Sequence, residues 1–142
     1  MTFHEDNLYH VYNRGNNRQR LYFSRANYLF FLHKIRAYIR PHCEILAYCL
    51  MPNHFHFLIL ATESTVKTKR VGELEKNVLS EGFKTALSSY TQAINLQGGR
   101  TGSLFTQNTK AIELSTPGYD ITCFRYIHQN AVLAGLVQRL EE

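Results

Sequence analysis

Two apolar runs, at residues 45–51 and 54–60, lie so close together that they read as the strands of a hairpin turning at Met51-Pro52-Asn53. The first run is apolar on both faces and is expected in mid-sheet. Other elements arrange themselves around this hairpin. Residues 8–13 alternate as a strand, with Leu8, His10 and Tyr12 on one face and Tyr9 and Val11 on the other. The polar turn Arg14-Gly15-Asn16-Asn17-Arg18 follows. Tyr28, Phe31, Leu32, Ile35, Tyr38 and Ile39 recur at helical spacing between an N-cap at Ser24 and the breaker Pro41. Residues 63–72 are polar and read as a mobile loop. A second helix carries Leu79, Phe83, Ala86, Leu87, Tyr90 and Ile94, and Gln97-Gly98-Gly99-Arg100-Thr101-Gly102 is the strongest loop in the chain. A weaker strand at about residues 104–113 leads to Thr116-Pro117, the N-cap and N1 pair of a last helix that ends at Gly135. The order strand, helix, strand, strand, helix, strand, helix predicts an α+β sandwich of the ferredoxin-like or RRM-like type. It would have a mainly antiparallel sheet with helices packed on it.

A length of 142 residues predicts one compact domain over the whole chain. Hydrophobic residues at 44% and charged residues at 19% exclude a disordered chain. No apolar run approaches the roughly 18 residues of a membrane span. The polar start, Met1 to Asn7, lacks a signal-peptide core, so a cytoplasmic location is expected. Cys43, Cys49 and Cys123 are scattered and odd in number, which argues for buried thiols rather than a disulfide framework or zinc ribbon. A formal charge of +5 favours a polyanionic partner. Nine Tyr and nine Phe interleaved with Arg and Lys suit stacking on unpaired bases, although most aromatics serve the core.

Asn53-His54-Phe55-His56-Phe57 is the most informative stretch. Strand alternation puts His54 and His56 on one face, roughly 7 Å apart at the backbone, where two imidazoles can converge on a metal ion. Phe55, Phe57 and Ile59 point the other way, into the core. An isolated H-x-H is more often structural; its place where a hairpin turn meets its strand favours a site. On the last helix, Tyr126 and Asn130 stand at i and i+4 and can reach one point together. A hydroxyl nucleophile and a carbonyl ligand are thereby paired. The bland alternative, a Tyr bridging core and solvent beside a surface Asn, leads for that helix taken alone.

Four ordered blocks resemble one family. They are His10-Val11-Tyr12-Asn13-Arg14-Gly15-Asn16-Asn17-Arg18-Gln19, Met51-Pro52-Asn53-His54-Phe55-His56, Gly102-Ser103-Leu104-Phe105, and Tyr126-Ile127-His128-Gln129-Asn130-Ala131-Val132-Leu133-Ala134-Gly135-Leu136-Val137. From Leu8 to Val137 the chain resembles the IS200-like single-strand DNA transposases with one catalytic tyrosine, particularly the branch associated with repetitive extragenic palindromes. The resemblance implies that His54 and His56 are the pair of the HUH nuclease motif. It further implies that Tyr126 is the nucleophile and that Asn130 completes the metal site. Ala131 stands where the family usually has proline. A two-fold dimer is implied as well, although relatives tied to extragenic palindromes can act as monomers.

The chemistry is coherent on physical grounds. A divalent ion held by His54, His56 and Asn130 can polarise a scissile phosphate, and mixed imidazole and oxygen ligation suits Mg²⁺ or Mn²⁺, with Zn²⁺ open to the histidines alone. Tyrosine attack would leave a covalent phosphotyrosine, at the 5′ side by the resemblance, and the expected partner is single-stranded, hairpin-bearing DNA. Arg14, Arg18 and Arg20 can grip its phosphates, a role balanced against a solvated basic turn. For Lys67, Lys69, Arg70 and Arg100 the solvated-loop reading leads. His10 faces the same way as Tyr12, and a structural histidine is the leading reading for it. Two other function classes compete: a non-catalytic regulator that binds DNA or RNA hairpins, and a water-using metal hydrolase. The set of His54, His56 and Tyr126 argues against the first, and the absence of Asp or Glu near the H-x-H strand against the second.

Overall fold

The computed structural model describes residues 1–114. Within them the chain forms β1 (Leu8–Arg14), α1 (Arg25–Tyr38), β2 (Glu44–Met51), β3 (His54–Leu60), β4 (Thr68–Val71), β5 (Leu74–Asn77), α2 (Val78–Gly98) and β6 (Lys110–Glu113). The helix expected from Thr116 to Gly135, with Cys123, Tyr126 and Asn130, lies outside the described residues. One sheet has the order β2-β3-β1-β6, antiparallel at each pairing, and β4-β5 form a separate ribbon. Without that ribbon the order is that of the ferredoxin-like α+β sandwich: β3 inserts between β1 and β2, the two strands that α1 connects. Both helices pack together on one face of the sheet. Among the described residues no helix is long and apolar enough to cross a membrane.

Local chemistry accounts for the elements. Ser24 caps α1 by accepting a hydrogen bond from the Asn27 backbone N–H. Asn77 caps α2 through Leu79 and Ser80, and Gly99, in the left-handed region at φ 61, ends it. Tyr9 and Val11 of β1 and Phe55, Phe57 and Ile59 of β3 face the helices and are fully buried. There they meet Phe31 of α1 and Tyr90 of α2, whose rings lie edge to face at 5.1 Å. The Tyr90 hydroxyl donates to the Leu21 carbonyl at 2.7 Å, so this core phenol is satisfied. The helices approach closely at Gly82, where a Cβ would come within 2.3 Å of the Tyr38 carbonyl oxygen.

Three expectations are corrected. Residues 45–51 are not in mid-sheet: among the described residues β2 is an end strand, and the strand buried on both faces is β3. Apolar residues on both faces of β2 misled because one row meets the helix layer while Ala47, Cys49 and Met51 cover Leu58 on the other side. Residues 63–72 are not simply a loop, since Thr68–Val71 pairs with Leu74–Asn77 around Gly72 at φ 65. The last described strand is only Lys110–Glu113. Phe105 touches the sheet through a single bridge to Gly15, and the chain between them loops out.

The turn between β2 and β3 sets where β3 begins. Its two residues include Pro52, whose ring forbids the positive φ that two-residue hairpin turns prefer. The turn is held instead from outside: Gly15 donates to the Asn53 carbonyl at 2.8 Å and Leu21 to the Pro52 carbonyl at 2.7 Å.

Candidate metal centre and nucleic-acid interface

His54 and His56 leave β3 on the face opposite the helices, as strand alternation requires, while Phe55 and Phe57 between and beyond them are fully buried. His54 lies between Arg14 of β1 and Met51 of β2; His56 lies between Tyr12 and Cys49. The two imidazole rings meet edge to face with centroids 4.9 Å apart.

Each ring is oriented through Nδ1. His54 Nδ1 lies 2.7 Å from Asn53 Oδ1. A carboxamide oxygen only accepts, so His54 carries its proton on Nδ1 and keeps a lone pair on Nε2. His56 Nδ1 lies 2.8 Å from His10 Nε2, with the two rings tilted by 24° and their centroids 5.0 Å apart. Tyr12 completes the cluster, its ring 4.9 Å from that of His10. Burial lowers the pKa of His10 and of His54. Burial, reinforced by His10 and His54, takes His56 down to about 3. All three rings are therefore neutral at physiological pH, the form that ligates metals.

Donor chemistry thus fits a divalent ion, with two neutral imidazoles on one face. Among the described residues no trio of His, Cys, Asp and Glu is placed to hold a metal. Tyr126 and Asn130, the expected nucleophile and third ligand, lie outside those residues.

A cleft opens beside the histidines, lined by Tyr12, Arg14, Arg18, His54, His56 and Lys110. Arg14 and Arg18 are exposed, and the one ion pair among the described residues is elsewhere, between Lys76 and Glu81. Arg18 is held at φ 59 beside Asn17 at φ 55, a left-handed pair in a turn closed over Gly15. Gly15 is needed there for contact rather than for φ: a Cβ would meet the Gln19 carbonyl oxygen at 1.9 Å. Arg20 stands apart from the cleft and donates from Nε to the Tyr22 carbonyl at 2.7 Å. Arg100 is engaged internally, with Asn95, Gln19 and Ser103.

Sequence reasoning missed Lys110 and Asn53. Lys110 reaches the cleft because it pairs with Tyr12, a register that a weak terminal strand did not reveal. Asn53 could have been found, since an Asx residue directly before a candidate ligand histidine is well placed to orient it. Asn13, buried at 4% exposure, was also missed; its side chain ties β1 to the loop carrying Thr106 and Thr109.

No family model and no curated protein matches the chain. Solved structures do. One is a REP-associated tyrosine transposase bound to a REP hairpin, at TM-score 0.66 and 17% identity, over 99% of this chain and 75% of that one. Another is a transposase candidate from Deinococcus radiodurans R1, at TM-score 0.53 and 15% identity, over 91% of this chain and 94% of that one. At these identities the likeness is one of fold, and the α+β sandwich seen here is the fold of those transposase structures.

Proposed function

We propose that the chain is a single-strand DNA endonuclease and strand transferase, a transposase of the IS200-like kind acting on hairpin-bearing DNA. One observation carries the reading: two neutral imidazoles, oriented from a buried central strand, share a cleft with Arg14, Arg18 and Lys110. The fold it has in common with a transposase solved on a REP hairpin supports the substrate class.

In this mechanism the three cations neutralise phosphates on either side of the scissile bond. His54 and His56, with Asn130 as the third ligand, would hold a Mg²⁺ or Mn²⁺ ion, which would supply Lewis-acid polarisation of the phosphate. The Tyr126 hydroxyl loses its proton and its oxygen bonds to phosphorus in line as the bond to the 3′ oxygen breaks. The departing oxygen takes up a proton and becomes a free 3′-OH. The 5′-phosphotyrosine retains the phosphoester, so attack by a 3′-OH reverses the step without ATP.

The test uses the full chain, a labelled hairpin-bearing strand and Mn²⁺. A protein–DNA adduct that survives denaturant and maps to the Tyr126 peptide is expected. Tyr126→Phe should bind the strand and form no adduct; His54→Ala, His56→Ala and EDTA should each abolish cleavage. Tight strand binding by the wild type with no adduct would leave a hairpin-binding regulator and overturn the enzymatic reading.

A further inference from the structure

We infer that His10 is a positioning residue for the metal pair: its Nε2 accepts the Nδ1 proton of His56 and so commits the lone pair of His56 to Nε2. The inference rests on the proposal that His54 and His56 hold a divalent ion.

His10 and His56 are 46 residues apart in the chain and come together because β1 pairs with β3. In that register His10 stands opposite Leu58 and Tyr12 opposite His56, so the two imidazoles meet on the diagonal of one sheet face. Their nitrogens are 2.8 Å apart, and one proton must lie between them. Two arrangements satisfy the contact. If His10 donates, His56 carries its own proton on Nε2 and has no lone pair there for an ion. If His56 donates, Nε2 becomes the ligand atom, and His10 carries its second proton on Nδ1. His10 is only half-buried, so that Nδ1 proton can be hydrated.

The second arrangement makes the two ligands alike. His54 is already committed through Nδ1, by the Asn53 carbonyl oxygen, to a lone pair on Nε2. His10 does for His56 what Asn53 does for His54. Metal-bound histidines characteristically donate their other ring N–H to such an acceptor, which sets both tautomer and ring angle. Packing reinforces the angle, because His10 is flanked by the Tyr12 ring, and the small tilt of 24° between the two imidazoles suits a hydrogen bond in their planes. A histidine serving only to fill space would need no nitrogen at this contact.

The experiment has two readouts, neither of them cleavage. Long-range proton–nitrogen correlation spectra of the metal-free, ¹⁵N-labelled full chain should show His56 as the Nδ1–H tautomer. His10→Gln keeps an acceptor and should preserve that tautomer; His10→Phe keeps a ring without one and should shift His56 toward Nε2–H. Mn²⁺ titrations followed by electron paramagnetic resonance should find affinity reduced about 10- to 100-fold in His10→Phe and rescued in His10→Gln. An Nε2–H tautomer of His56 in the wild type, or wild-type Mn²⁺ affinity in a folded His10→Phe chain, would overturn the role of His10 alone. A wild type that binds no Mn²⁺ would instead remove the metal reading on which it rests.

Discussion

Removing the Asn13 side chain should cost the fold about 2–4 kcal/mol, more than any exposed residue lining the cleft. Asn13 is buried, and its Nδ2 donates to the Thr106 carbonyl at 3.1 Å and to Thr109 Oγ1 at 3.0 Å. Its Oδ1 accepts from Thr106 Oγ1 and from the Arg14 backbone N–H. Three of these four bonds join β1 to the loop that brings Thr106 and Lys110 to the cleft. At a net contribution of roughly 1 kcal/mol per bond they sum to about 3 kcal/mol, and a Thr106 carbonyl left without its partner pushes the cost upward. Urea unfolding of Asn13→Ala should show a lower midpoint with an unchanged slope, the signature of lost stability rather than of an altered unfolded state. Thr109→Ala removes only one of the bonds and should cost about 1 kcal/mol. Because the two residues share that bond, the double variant should be less destabilised than the sum of the singles by a similar amount. A loss below about 0.5 kcal/mol in Asn13→Ala would show that the bonds are replaced by water at no cost, and would refute the view that Asn13 fixes this wall.

Two further outcomes rest on the electrostatics. Arg18→Gly relieves a left-handed non-glycine residue, so it should raise stability by up to about 1 kcal/mol. It should also flatten the dependence of the logarithm of strand affinity on that of salt by roughly 0.7, one phosphate contact on single strands. Arg100→Ala, which empties an internal network instead, should lower stability and leave that slope unchanged. The second outcome concerns pH. An unfolded histidine takes up its proton near pH 6.5, whereas folded His56 resists protonation down to about 3. The unfolded state therefore binds more protons between those values, and stability should fall steadily as pH drops from about 6.5 toward 3. His10 and His54, also lowered by burial, act in the same direction. Urea midpoints at pH 7.5 and 5 measure the loss, and a His56→Asn chain should lose less; equal loss in both would refute the assignment to His56.

Burial writes into a sequence only those faces that meet a core, and this decides which elements were legible. The alternation of Tyr9 and Val11, the helical spacing from Tyr28 to Ile39 and from Leu79 to Ile94, and the two runs around Pro52-Asn53 all record faces that meet one core. β4 and β5 left no such record, because their residues are mostly exposed and carry no apolar alternation. The end position of β2 was hidden for the opposite reason. A second small cluster beneath Leu58 made its outer face as apolar as its inner one. His54 and His56 were legible as a pair because alternation is local. The His10 contact was not, since it depends on which strand lies beside β3 and in which register. Lys110 was missed for the same reason.

The position of the histidine pair along β3 is itself constrained from two sides. A site for phosphate chemistry needs side chains held to a fraction of an ångström, which favours a central strand over a loop. β3 meets this, flanked by β1 and β2 and anchored by Phe55, Phe57 and Ile59, all fully buried. The proposed function also requires it to admit a DNA strand, and the same burial closes most of β3. Two residues beyond His56 on the same face, Leu58 is 3% exposed beneath Ala47, Cys49 and Met51. An imidazole there would be as rigid as His56, itself only 7% exposed, but would stand outside the lining of the cleft. Before His54 lies the turn, where Asn53 is only half-buried and its side chain is available to orient the first ring. Residues 54 and 56 are therefore the pair of same-face positions on β3 that combine a rigid backbone, a place in the lining of the cleft and a neighbour able to hold Nδ1. The turn reaches this geometry through Pro52 only because Gly15 and Leu21 hold it from outside. The segment Arg14–Arg18, which supplies cations to the cleft, thus also positions the strand that carries His54 and His56.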